Sequence, residues 1–176
     1  ADYHVPEDRQ RILLVSIRKD LAEKYGVEFK VPAPFPDRIS IRQALGGLAP
    51  ATDDEICKEA YSSRYMSRNR KRAWDSVSFT IPAMAKQVPL WPGSPDMVKV
   101  GKDLWQFGEK GSTRRLSYKE AAAIQTFPKD MVFCGNLTSK YKQIGNAVPC
   151  EFARVVGMEL YRILNEIEEQ ESHCPA

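Results

Sequence analysis

Long apolar runs are missing from this chain. No segment approaches the roughly 20 apolar residues that a membrane-spanning helix requires, which excludes a helical membrane span. The first residues, Ala1-Asp2-Tyr3-His4, carry no basic-then-apolar leader pattern, so a cytoplasmic location is the expectation. Histidine is scarce: His4 and His173 stand at opposite ends. The four cysteines, Cys57, Cys134, Cys150 and Cys174, are never paired as Cys-x-x-Cys, so neither a zinc site nor any other metal centre is expected. Scattered thiols of this kind fit a reducing compartment, where structural disulfides are rare. Internal repeats and low-complexity segments are also lacking, which excludes solenoids and compositionally biased linkers.

What is present suits a folded chain. With 176 residues, 43% hydrophobic and 28% charged, the composition is that of a globular protein of one domain, or of two small lobes sharing a core. The net charge of +3 conceals an asymmetry. Between Tyr61 and Arg115 eleven Lys and Arg face four Asp and Glu, so that window carries +7 and the remainder −4. Arg64, Arg68, Arg70, Lys71 and Arg72 lie within nine residues with no acid among them. Such a cluster suits a phosphate-binding surface, and a loop kept solvated by its charge would have the same composition.

Residues 12 to 17, Ile-Leu-Leu-Val-Ser-Ile, form a nearly unbroken apolar run between charged flanks, the pattern of a strand buried on both faces of a helix-covered sheet. Such a strand needs hydrogen-bonding neighbours on both sides, which points to a sheet completed by other sequence. Val31 to Asp37 contains three prolines and predicts an extended linker. Ile39 to Leu48 predicts a short helix with Ser40 as N-cap and Gly46 near its end. From Ala49 to about Gly111 loops are expected, with short strands at Ser76 to Ile81 and Leu104 to Phe107. Ser117 and Glu120 make a capping box for a helix that ends before Pro128. A last helix should start near Pro149 or Cys150, since Phe152, Val155, Val156, Leu160, Ile163, Leu164 and Ile167 recur at three- and four-residue steps. Its acidic end, Glu166 to Glu171, is expected to fray in solvent.

Three stretches carry chemistry. Glu7-Asp8-Arg9-Gln10-Arg11 leads into the apolar run; Arg114-Arg115-Leu116-Ser117 continues to Gln125-Thr126-Phe127-Pro128; and Tyr141-Lys142-Gln143-Ile144-Gly145-Asn146-Ala147-Val148-Pro149 follows. Together they resemble motifs VIII, IX and X of DNA (cytosine-5) methyltransferases, with Glu7 standing where the family usually has Gln. Tyr61 to Pro89 resembles the recognition region of restriction-modification enzymes of that family that modify GGCC; relatives tend to carry Gly-Arg where this chain has Ala85-Lys86. The family's Phe-x-Gly-x-Gly cofactor turn, Pro-Cys nucleophile loop and Glu-Asn-Val do not occur in these residues. Pro149-Cys150-Glu151 mimics the nucleophile loop, but it follows the final motif and opens an amphipathic helix, so Cys150 is expected to be a small buried hydrophobe.

The resemblance implies an α/β chain: the C-terminal portion of a doubly wound methyltransferase fold plus an irregular target recognition domain of loops and short strands. Residues 1–30 would end the catalytic sheet, 31–113 would form the recognition domain, and 114–176 would return to pack on the catalytic domain. It implies methyl transfer from S-adenosyl-L-methionine to a cytosine flipped out of double-stranded DNA. C5 of that ring is inert until a thiolate adds at C6. Arg11 would donate to O2 of the base, and Arg9 would hold a phosphate or support the site. Gly145, Asn146 and Ala147 would wall the amino acid end of the cofactor. Arg64, Arg68, Arg70, Lys71, Arg72 and Lys86 would meet DNA, since an arginine fork matches guanine O6 and N7. The partner implied is a catalytic methyltransferase subunit, or a missing segment, carrying the Pro-Cys loop. The alternative is a catalytically inert DNA-binding or regulatory subunit. Trp74 and Phe79 are expected as core anchors in preference to base-stacking partners.

Overall fold

Side-chain caps begin the helices where the sequence marks them. Ser40 accepts from Gln43 N while the Gln43 side chain accepts from Ser40 N, starting α2 (Ile41–Leu45), with Gly46 at its C-terminus. Ser117 and Glu120 form the same reciprocal box at the start of α3 (Tyr118–Ile124). Asn136 caps α4 (Leu137–Asn146) through Ser139 N. Pro149 precedes α5 (Cys150–Ser172), which suits a residue lacking the donor that a helix start leaves unpaired. Between the N-terminus and α2 lies α1 (Lys19–Tyr25), closed by Gly26 at φ 64°. In this computed structural model the described residues are 1–173, so Cys174 lies outside them.

Strands are few and short. β1 (Glu7–Asp8) pairs in parallel with β2 (Ser78–Phe79), and β3 (Val98–Gly101) pairs antiparallel with β4 (Leu104–Gln106) across an irregular register. β2 and β4 fall inside the two stretches expected to be strands. Elsewhere between Ala49 and Gly111 the chain is loop, with single 3-10 turns at Asp53–Glu55 and Ala85–Gln87. The Val31 to Asp37 linker has no regular structure and lies along the N-terminus, with Phe35 N donating to Asp2 O at 2.8 Å and Tyr3 Oη to Pro32 O at 2.9 Å.

The main core joins α2, the Ile81 to Val88 segment, α3 and α4, through Ile41, Leu45, Ile81, Val88, Leu116, Ile124, Tyr141 and Ile144. It therefore crosses the 113/114 boundary. A second cluster, Tyr25, Val27 and Ile163, docks α5 on α1. A third, Tyr65, Leu90 and Met97, holds the basic segment to the β3–β4 hairpin, with Trp105 and Phe107 against it. Trp74 packs on the main core edge-on to Trp91, an anchor as expected.

Three elements differ from expectation. Residues 12 to 17 form no strand, and Ile12 and Leu14 are 89% and 88% exposed. Among the described residues no strand lies alongside to pair with their backbone groups, which are left to solvent. The doubly wound sheet is accordingly not displayed; the described residues hold two two-stranded sheets in a mixed helix and strand arrangement. The acidic end of α5 stays helical to Ser172, because Glu171 accepts from Tyr25 Oη, Gln170 donates to Tyr25 O, and Arg162 bridges Glu159 and Glu166.

Candidate functional site

β1 directs Glu7 inward and, two residues on, Arg9 to the same side, as strand alternation requires. Glu7 is fully buried, with Oε2 accepting from Ile81 N at 2.8 Å. Arg9 donates to Ile81 O at 3.2 Å, to Gly145 O at 3.1 Å and to Ala147 O at 3.4 Å, and its Nη1 lies 3.5 Å from Glu7 Oε1. Burial pushes the Glu7 carboxyl above its ordinary range against the pull of the Ile81 amide and Arg9. Burial lowers Arg9, and Glu7 opposes it. Glu7 is thus a pairing group for Arg9.

Beyond this pair opens a cleft of about 1020 Å³. Its walls include Arg9, Arg11, Asn146, Ala147, Val148 and Phe152. The residues expected to serve the base and those expected to serve the cofactor, more than 130 positions apart in sequence, therefore face one space. Arg11 is exposed there, its guanidinium donating to Gln10 O at 2.6 Å. Asn146 is exposed at the end of α4, and Ala147 follows. Gly145 is buried, and its lack of a side chain serves the protein's own packing: a Cβ there would lie 2.3 Å from Ala83 N and 2.4 Å from Pro82 O. Cys150, the first residue of α5, is half-buried, and burial raises its thiol, the opposite of what an attacking thiolate needs.

Arg114 and Arg115 are structural. Arg114 grips Glu120 with both arms at 2.7 and 2.8 Å and stacks over Trp91. Arg115, 1% exposed, donates to Lys86 O, Cys57 O and Glu59 O and lies 4.0 Å from the Tyr61 ring centre. Tyr141 Oη, also buried, lies 2.7 Å from Leu116 O and 3.1 Å from Glu55 O. Gln125 donates to Ile144 O and ties α3 to α4.

The basic cluster divides into two groups. Arg64 and Arg68 project from the turn at residues 63–67 and just after it, and Lys86 stands on the short turn beyond Ile81; all three are exposed. Arg70, expected to meet DNA, is 7% exposed, its fork donates to Tyr65 O, Arg64 O and Gln87 Oε1, and it lies over the Tyr65 ring. Those bonds hold the turn that presents Arg64 and Arg68. Lys71 and Arg72 are likewise engaged, Lys71 with Asp96, and Arg72 over the Phe79 ring and 3.6 Å from Asp8. Sequence spacing placed Arg64 to Arg72 together, whereas burial separates them. Pairing of Arg9 or Arg11 with Glu7 or Asp8 was an alternative reading of the sequence, and Glu7 beside Arg9 follows it. The packing at Gly145 was not read from the sequence.

No helix of the described residues is long and apolar enough to cross a membrane. The family of the C-5 cytosine-specific DNA methylase matches residues 1–162. The Type II methyltransferase M.BsuRI of Bacillus subtilis is 42% identical over 175 residues, covering 88% of this chain and 38% of that protein. M.MthTI of Methanothermobacter thermautotrophicus is 38% identical over 187 residues, covering 93% and 56%, and M.FnuDI of Fusobacterium nucleatum is 33% identical over 188, covering 96% and 54%. The chain spans about half the length of the relatives it matches. A match that runs through nearly every element described above, from β1 into α5, makes this chain a member of the C-5 cytosine-specific DNA methylase family.

Proposed function

We propose that this chain is the DNA-recognition part of a DNA (cytosine-5) methyltransferase, acting on a GGCC-like duplex site, with the nucleophile supplied by a partner polypeptide or by further sequence of a longer one. The observation that carries the reading is the shared cleft, where Arg11 stands with Asn146 and Ala147. An inert DNA-binding subunit has no use for that meeting. Relatives named as Type II methyltransferases support the reaction class.

The donor set fits one end of S-adenosyl-L-methionine. Asn146 offers an amide that both donates and accepts, and Val148 and Phe152 supply apolar wall beside it. When bound, the cofactor supplies the methyl group. Arg11 would donate to O2 of the extrahelical cytosine, stabilising the negative charge that grows when a thiolate adds at C6. The Val148 and Phe152 side would keep water from the reacting carbon. Arg64, Arg68 and Lys86 would meet phosphates or guanine edges, positioned by the buried Arg70 and Arg115.

Co-expression with neighbouring reading frames, or with the sequence that precedes this segment in a longer chain, followed by bisulfite mapping, tests the proposal. Cytosines converted to 5-methylcytosine within one short sequence are expected, and Arg11→Ala should abolish them while specific DNA binding persists. The chain purified alone should transfer no methyl group. Turnover by the isolated chain would refute the division of labour, and methylation by an Arg11→Ala assembly would remove Arg11 from the chemistry.

A further inference from the structure

We infer that Glu7 and Arg9 act together as a positioning brace that sets the cofactor-side end of α4, Gly145–Ala147, against Ile81 within the base-reading segment, and that Arg9 is not a phosphate contact. This rests on the reading of the cleft given above. Both backbone polar groups of Ile81 are held by the pair, its N–H by Glu7 and its carbonyl by Arg9. The same guanidinium reaches the carbonyls of Gly145 and Ala147, on a segment far away in sequence. Three acceptors in different directions suit a planar fork of fixed donors and not a single ammonium. The Arg9 side chain is only 10% exposed, which leaves little of it for a phosphate.

The brace has almost no slack. The Pro82–Ala83 backbone lies where a Gly145 side chain would begin, so α4 and the segment after Ile81 are in direct backbone contact. Two further bonds tie the same region, Ser78 N to Pro6 O at 2.8 Å and the Thr80 hydroxyl to Asp8 O. Downstream of Ile81 the chain carries exposed Lys86, whose carbonyl is held by Arg115. A displacement at Asn146–Ala147 therefore reaches the DNA-facing segment through hydrogen bonds and packed backbone. The pair couples the cofactor edge to base reading.

The test uses the assembled enzyme and Arg9→Lys, which keeps the charge and removes the fork. Calorimetric Kd and kinetic KM for S-adenosyl-L-methionine should both rise about tenfold or more, since small misplacements of positioning groups have large effects. In Arg9→Gln, which removes the charge, the slope of log DNA affinity against log salt should match wild type. A cofactor Kd within twofold of wild type in Arg9→Lys, or a slope reduced by about one in Arg9→Gln as when a cation leaves a phosphate, overturns the inference. Circular dichroism and a melting curve establish that the variant is folded. Should Arg9→Lys fail to fold, Glu7→Ala and Glu7→Gln decide: weaker cofactor binding in the first, largely recovered in the second, supports the brace, and equal behaviour of the two overturns it. A wild-type assembly that binds cofactor and DNA but methylates no cytosine defeats the proposed reaction and leaves the binding comparison to judge the brace. One that binds no cofactor overturns both.

Discussion

At position 145 a single added methyl group would meet backbone at 2.3 Å, a separation that no rotamer change can relieve. Gly145→Ala should lower stability by about 1–3 kcal/mol or more, the range for overpacking a closed site; an unchanged urea midpoint would show that α4 can move away. Arg70→Ala removes the donor to the Tyr65 carbonyl and leaves a void over the Tyr65 ring, while Arg64 O keeps the Ser67 hydroxyl. A loss of about 2–4 kcal/mol is expected, together with weaker binding to all DNA. A stable variant with altered sequence preference would restore Arg70 as a base reader. Glu7 makes stability depend on pH. Its folded carboxyl sits above the ordinary value of 4.5, so the folded state binds the proton more tightly than the unfolded one. That contribution is complete below about pH 4.5 and is lost as pH rises through the raised value. Stability measured by denaturant titration should fall more steeply with pH above 4.5 in wild type than in Glu7→Gln, and parallel curves would contradict the burial effect.

Among the elements, the two helices begun by a serine cap were legible in advance. Ser40 and Ser117 each announced a helix, and both formed as reciprocal boxes. Ser117→Ala should cost about 1 kcal/mol, read as a lower melting temperature, and loss of the Arg114 to Glu120 grip should accompany it if α3 frays. α1 and α4 were not anticipated. α4 is ten residues long and contains Thr, Ser and Gly, so local propensity alone gives it little support. Burial of Tyr141 and Ile144 in the main core holds it. α1 depends in the same way on Tyr25 meeting Ile163 of α5. The 12 to 17 run shows the reverse case: its composition favours a strand, yet no neighbouring strand lies beside it among the described residues, and none forms.

Over the whole molecule, charge and apolar surface are distributed unevenly. The excess of +7 between Tyr61 and Arg115 reaches solvent chiefly through Arg64, Arg68 and Lys86 in the recognition segment, and also through lysines such as Lys99 and Lys102 on the β3–β4 hairpin. In the assembled enzyme, replacing Arg64, Arg68 or Lys86 by Ala should weaken DNA binding, and each phosphate deprived of its cation should reduce the salt slope by about one. An unchanged slope with relaxed discrimination would instead mark a side chain that reads guanine. Exposed Ile12, Leu13, Val31 and Val148 line the cleft, while Tyr161 and Leu164 of α5 form a further exposed pair.

Residue order settled what depends on near neighbours: the capping boxes, the periodic face of α5 and the proline linker. These need only a few adjacent side chains and the geometry of one turn or one strand. Folding settled which of five clustered cations would be buried, why position 7 tolerates an acid, and why position 145 must be glycine. Each of those answers is set by a group distant along the chain: Gln87 for Arg70, Ile81 for Glu7, and Pro82 and Ala83 for Gly145. Burial and hydrogen-bond satisfaction arise only when such distant segments meet, and no local pattern of residues encodes them.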